Sequence, residues 1–260
     1  MTAHTFPSSE PTEPPAAPQT LSPRPASRRV TDATTRMLHW LMALSFTGAY
    51  LTADGDRWQR VHVTLGYTLA GLLVFRVLWG WVGPRQVRLS VLWRKLKGLP
   101  VWLKSLPTVN SQATLLPAWR QGENLLMALA VALILAVMIP LTLSGYAFWE
   151  GWGGEWLEDV HEFFGNALLA LVLVHIGLIA LLSLFRRKNQ ALPMLTGRVA
   201  GLGPDLAKRN HRILAALVLA CVMGFWGWQW TEAPNNAVAQ NALRINNHHH
   251  NDRHHDNDDD

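Results

Sequence analysis

The sequence predicts an all-α integral membrane protein, a four-helix bundle with a fifth transmembrane helix beside it. Three observations carry this. Hydrophobic residues make up 49% of the 260 residues, and they are gathered into long runs instead of alternating with polar ones, which is the pattern of membrane spans. Five runs, at about 37–53, 61–83, 124–146, 161–185 and 213–230, approach or meet the roughly 20 helical residues that cross a hydrocarbon core of about 30 Å. The charges then alternate between loops in the way that orients membrane proteins.

Taken in order, residues 1–29 hold seven prolines and no apolar run, so a disordered cytoplasmic arm is expected there rather than a cleavable signal peptide. The first run follows, carrying His39. The second run opens with His62 and contains Arg76. Between the second and third runs lie Arg85, Arg88, Arg94, Lys95, Lys97, Lys104 and Arg120, with no acid before Glu123. Within that loop RQVRLSVLWRKLKGLPVWLKSL interleaves bases with Trp93 and Trp102, as suits a helix lying on anionic headgroups. The loop between the third and fourth runs holds Glu150, Glu155, Glu158 and Asp159 and no base. The fourth run carries His161 and His175. After it come Arg186, Arg187, Lys188, Arg198, Lys208, Arg209 and Arg212 against Asp205 alone. The positive-inside rule therefore places the N-terminus and both basic loops in the cytoplasm, with the acidic loop and the C-terminus outside. The net charge of +5 follows from this topology and does not call for nucleic acid. Trp149, Trp152, Trp156, Trp226, Trp228 and Trp230 fall at the outer interface, where an aromatic belt is expected. The divisions are 1–29 arm, 30–200 transmembrane core, 201–230 fifth helix and 231–260 His/Asp-rich tail, the tail being either solvated or able to hold metal ions outside the membrane.

Five histidines lie outside the N-terminal arm and the tail: His39, His62, His161, His175 and His211. At 1.5 Å per residue, His39 lies about 21 Å from the outer end of the first span, and His175 lies about 21 Å below His161. His62 and His161 both sit near the outer ends of their spans. The four sort into two levels, each with one histidine from each of two helices. Fourteen residues at 100° each leave His161 and His175 about 40° apart in azimuth, so both can face one bundle interior. Two stacked imidazole pairs facing across a bundle are what bis-histidine haem b requires, one ring nitrogen on either side of each iron. Histidines alone make a poor metal cage at either level, because two per level would need Asp, Glu or Cys partners that neither depth supplies. Arg76, fourteen residues after His62, falls at the depth of His39 and His175. It either snorkels to the cytoplasmic surface or pairs with an anion such as a haem propionate. Gly66, Gly71 and Gly165 are small enough to let a flat macrocycle approach the backbone, or they serve ordinary helix contacts.

The strings TRMLHW (35–40), HVTLGY (62–67), FRVLWGWVGPR (75–85), LEDVHEFFGNALLALVLVH (157–175) and MLTGR (194–198) resemble the prokaryotic di-haem cytochrome b family. That family includes the cytochrome b subunit of nickel-iron hydrogenases and is related to bacterial cytochrome b561. The resemblance runs from about residue 30 to 198. It implies a four-helix bundle in the bacterial inner membrane and two non-covalent haems b, ligated at the matching His39, His62, His161 and His175. It further implies electron exchange between a redox partner, such as a c-type cytochrome or a hydrogenase, and the quinone pool. Relatives often carry Gly-His-Asn-Pro ahead of the third span, where this chain has Gly122-Glu123-Asn124-Leu125, so any role of that histidine is absent here.

The single cysteine, Cys221, excludes an internal disulfide, a CxxCH haem attachment and an all-cysteine iron–sulfur cluster within the chain. The leading reading is a transmembrane electron conduit serving as a subunit of an oxidoreductase system. The alternative is an enzyme in its own right, a superoxide-quinone oxidoreductase. A transporter with a histidine proton relay is a third reading, and it requires no haem.

Overall fold

A computed structural model describes residues 27–55, 57–105, 112–201, 204–207 and 209–231. The chain runs through β1 (Ser27–Arg29), α1 (Ala33–Leu51), α2 (Gln59–Val82), a 3-10 turn (Arg85–Val87), α3 (Leu89–Ser105) and α4 (Gln112–Trp149). It continues through α5 (Trp156–Arg186), α6 (Leu192–Leu195) and β2 (Arg198–Ala200) to α7 (Arg212–Thr231). Four of these are long and apolar enough to cross a membrane: α2, Gln121–Trp149 of α4, α5 and α7. The helix α1, with 19 residues, is not among the four but packs along α2. The arm expected over residues 1–29 lies outside the described residues except for Ser27–Arg29, and the tail over 231–260 except for Thr231.

The exterior of the spans is apolar: Val74, Leu133, Leu143, Phe163, Leu173 and Leu184 are all exposed. So large and continuous an apolar surface is stable only in lipid. Inside, Phe46, Leu69, Leu73, Met138, Leu141 and Leu168 form one core cluster. Phe46 follows His39 by seven residues, Leu69 follows His62 by seven, and Leu168 lies seven from both His161 and His175. Seven residues are about 10.5 Å of helix rise, so this cluster fills the layer midway between the two histidine levels. A second cluster, Leu38, Leu72, Val218 and Val222, fastens α7 to α1 and α2. Trp226 belongs to this contact more than to an interfacial belt, because its indole Nε1 donates to Thr68 Oγ1 at 2.9 Å.

Helix ends are closed locally. Asp32 caps α1, accepting from the Thr35 amide and hydroxyl. In α5, Glu158 and Asp159 stand in the first turn and Arg186 in the last, each matching the sign of the helix dipole. At that end Arg186 pairs with Glu123, which is 5% exposed, joining α4 to α5.

The same end carries a latch between segments far apart in sequence. β1 and β2 pair antiparallel, with Ser27 opposite Ala200. Gly197 O accepts from the Val30 and Thr31 amides. Arg36 Nη1 donates to Leu195 O at 3.0 Å and Trp40 Nε1 to Met194 O at 3.1 Å. Gly197 has φ +77, and a Cβ there would lie 2.8 Å from Thr31 O, so only glycine lets the strands approach this way. The start of α7 joins in: Asn210 accepts from the Ala33 amide through both its backbone and side-chain oxygens, and Thr34 Oγ1 donates to His211 O.

Candidate functional site

His62 stands in the first turn of α2 and His161 in the second turn of α5, and their ring centroids are 5.9 Å apart with the planes at 81°. Each ring is aimed by a backbone carbonyl. Nδ1 of His62 lies 2.8 Å from Ala49 O, a carbonyl in the last turn of α1 that also accepts from the Thr52 amide and hydroxyl. Nδ1 of His161 lies 3.0 Å from Leu141 O on α4, a carbonyl that also accepts from Ser144 Oγ at 3.1 Å. A carbonyl oxygen only accepts, so both Nδ1 atoms carry the proton, and both Nε2 atoms keep a free lone pair. That is the arrangement of metal-binding imidazoles, whose second nitrogen donates to an outer partner.

Gly145 completes this level. A Cβ at that position would lie 2.6 Å from Cε1 and 2.8 Å from Nδ1 of His161, so the imidazole occupies the space a side chain would take. One turn below the histidines, at His62+4 and His161+4, stand Gly66 and Gly165. A Cβ on Gly66 would meet nothing within 4 Å, and one on Gly165 only Leu141 Cδ1 at 3.9 Å. The space beneath the ring pair is thus open on both of its helices.

The second level holds His39 on α1 and His175 on α5. Nδ1 of His175 is buried with no hydrogen-bond partner among the described residues. The His39 ring meets Trp40 edge-on at 5.5 Å, and Trp40 is itself anchored to Met194. Arg76 Nη1 donates to Val87 O at 3.3 Å. His211, at φ +43, meets Trp79 edge-on at 5.2 Å and joins neither pair. Among the described residues no group of three or more His, Cys, Asp or Glu side chains converges, and the ring contact between histidines is that of His62 with His161. The tail histidines lie outside the described residues.

The His62–His161 pair fits haem b. A metal about 2 Å from each of two imidazole nitrogens holds the ring centres about 6 Å apart, close to the spacing of His62 and His161. The open glycine faces leave room beside the rings, and the apolar walls suit a macrocycle. Sequence reasoning singled out the four histidines and Gly66, Gly71 and Gly165 as candidates. It missed Gly145, Ser144 and the carbonyls of Ala49 and Leu141, since a backbone acceptor has no residue signature and Gly145 reads as one small residue among many in a span.

A membrane bundle with facing histidine pairs at separate depths defines a membrane-embedded b-type cytochrome. Residues 30–197 match the family of prokaryotic cytochrome b561, and the chain belongs to that family. Searches of curated proteins and of solved structures found no match. Family and fold together make the chain a multi-pass membrane protein that binds b-type haem and transfers electrons across the bilayer. The match ends before α7, which the Asn210, Thr34 and Trp226 contacts nevertheless tie to the family core.

Proposed function

We propose that the chain is a di-haem conduit of the bacterial inner membrane, exchanging electrons between a redox partner and the quinone pool. His62 and His161 would hold one haem b, and His39 and His175 the other. The observation that carries this is the His62–His161 pair, two rings at ligating distance with both Nδ1 atoms committed to carbonyls and both Nε2 atoms free. Haem b supplies reversible one-electron chemistry at its iron. The chain's part is to hold the His62 and His161 imidazoles in one tautomer, to exclude water with the Phe46, Leu69 and Leu168 layer, and to separate the two levels by about 21 Å along α5. Arg76 stands at the level of His39 and His175, where its guanidinium offers a charge-assisted hydrogen bond to a propionate. The basic loops face the cytoplasm, so the His62/His161 end faces outward, toward a partner such as a c-type cytochrome or a hydrogenase.

Haem analysis of the purified chain tests the ligand assignment. Two haems b per chain with low-spin spectra are the expected result, because histidine would fill all four ligand positions. Clearly fewer than two after reconstitution would refute the assignment of four ligands.

A further inference from the structure

We propose that α3 is a headgroup-layer helix that binds anionic phospholipid of the membrane the bundle spans. Its position is fixed by glycine notches in two spans. Leu89 at its start packs where a Cβ on Gly80 would stand, 2.6 Å from Leu89 Cγ, and the Trp102 indole fills the space beside Gly122. Between them, a Cβ on Gly98 would touch Leu125 at 3.6 Å. Gly80 lies in the last turn of α2 and Gly122 at the start of the apolar stretch of α4. The helix is therefore held at the level where two spans leave the hydrocarbon, and it buries none of its own residues fully.

Its exposed face has the composition that this level demands. Trp93, Arg94, Lys97, Val101 and Lys104 recur at helical spacing and all are exposed, with Lys97 Nζ 5.7 Å from the Trp93 ring centroid. Apolar and cationic side chains interleaved on one stripe suit acyl chains below and phosphates above. Among the described residues no carboxylate forms an ion pair with the stripe: at this end Asp32 caps α1, Glu123 pairs with Arg186, and Asp205 Oδ1 accepts from the Arg29 amide. The stripe thus leaves a counter-charge to be supplied. A lipid surface supplies it together with an apolar phase for Trp93 and Val101, whereas a soluble acidic protein supplies the charge alone.

The test uses the full chain, haem-loaded, in nanodiscs of phosphatidylcholine with and without phosphatidylglycerol. Cys221→Ser removes the native thiol, Val101→Cys receives a spin label, and lipid retained by the protein is counted by native mass spectrometry. Each cation near an anionic surface contributes about fivefold in partition at low salt. The single variant Lys97→Gln is therefore expected to lower phosphatidylglycerol enrichment about fivefold, and Arg94→Gln/Lys97→Gln/Lys104→Gln to abolish it, with the haem spectrum unchanged as the check on folding. The label is expected at headgroup depth, and more restricted when phosphatidylglycerol is present. A label in bulk water, as a protein-docking or bare face would give, overturns the proposal. So does phosphatidylglycerol enrichment that persists in the variants; if the triple variant fails to fold, the single variant decides.

Discussion

At the scale of single residues, His161 shows how a membrane helix makes room for an imidazole. Its ring fills the space beside Gly145 and gives its Nδ1 proton to Leu141 O. Gly145→Ala would push a methyl to within 3 Å of two ring atoms, turning the ring off its carbonyl and moving Nε2. The expected outcome is loss of close to one of two haems per chain with little change in helix content, read by haem analysis and circular dichroism. Full haem retention would show that the ring tolerates the displacement. Gly66 offers the complementary measurement. A Cβ there meets nothing within 4 Å, and alanine favours a helix over glycine by about 1 kcal/mol, so Gly66→Ala should leave the haem-free chain as stable or more so. If the open space beneath His62 holds the macrocycle, the same substitution lowers haem retention. Thermal unfolding of both forms separates the two effects, and unchanged retention would place the macrocycle elsewhere. The histidines were legible in the sequence because buried imidazoles are rare in apolar runs. Their acceptors were not, because any residue can present a carbonyl.

At the scale of elements, α5 carries one histidine to each level, while α2 supplies only His62 and α1 only His39. Fourteen residues on α5 keep both of its rings within about 40° of one face, and Leu168 sits between them at 1% exposure. This connectivity fixes which substitutions share a phenotype. Replacing His62 or His161 should perturb one spectral component, and replacing His39 or His175 the other, as followed by low-temperature absorption spectra. Loss of a common component in the His39 and His161 variants would contradict the pairing by depth. The apolar runs made four of the five expected spans legible as helices long enough to cross, and the interleaved bases and tryptophans announced α3. The latch was not legible. SRR and RVA are only three residues each, their pairing spans about 170 residues of sequence, and the conformation that Gly197 allows leaves no periodicity to read. The TRMLHW and MLTGR strings instead find their explanation in three dimensions, in the Arg36 and Trp40 bonds to the carbonyls of Leu195 and Met194.

For the whole molecule, the charge distribution sets a polarity along the bundle. The His39/His175 end gathers the latch, α3 and the Glu123–Arg186 pair, with a large excess of Lys and Arg. At the His62/His161 end, the α4–α5 loop carries Glu150, Glu155, Glu158 and Asp159 and no base. The proposed orientation follows from that asymmetry, and it would place a haem held by His62 and His161 within reach of a donor or acceptor outside the cell membrane. A membrane-impermeant reductant added to right-side-out vesicles, with quinone extracted, should then reduce the His62/His161 component first. The other component should lag, because its ligand on α5 lies about 21 Å further into the bilayer, beyond the apolar layer of Phe46, Leu69 and Leu168. The spectral assignments come from the paired histidine variants, so the order of reduction reads orientation alone. Inverted vesicles should reverse the order. Prior reduction of the His39/His175 component in right-side-out vesicles would turn the molecule over in the membrane and put the acidic α4–α5 loop in the cytoplasm.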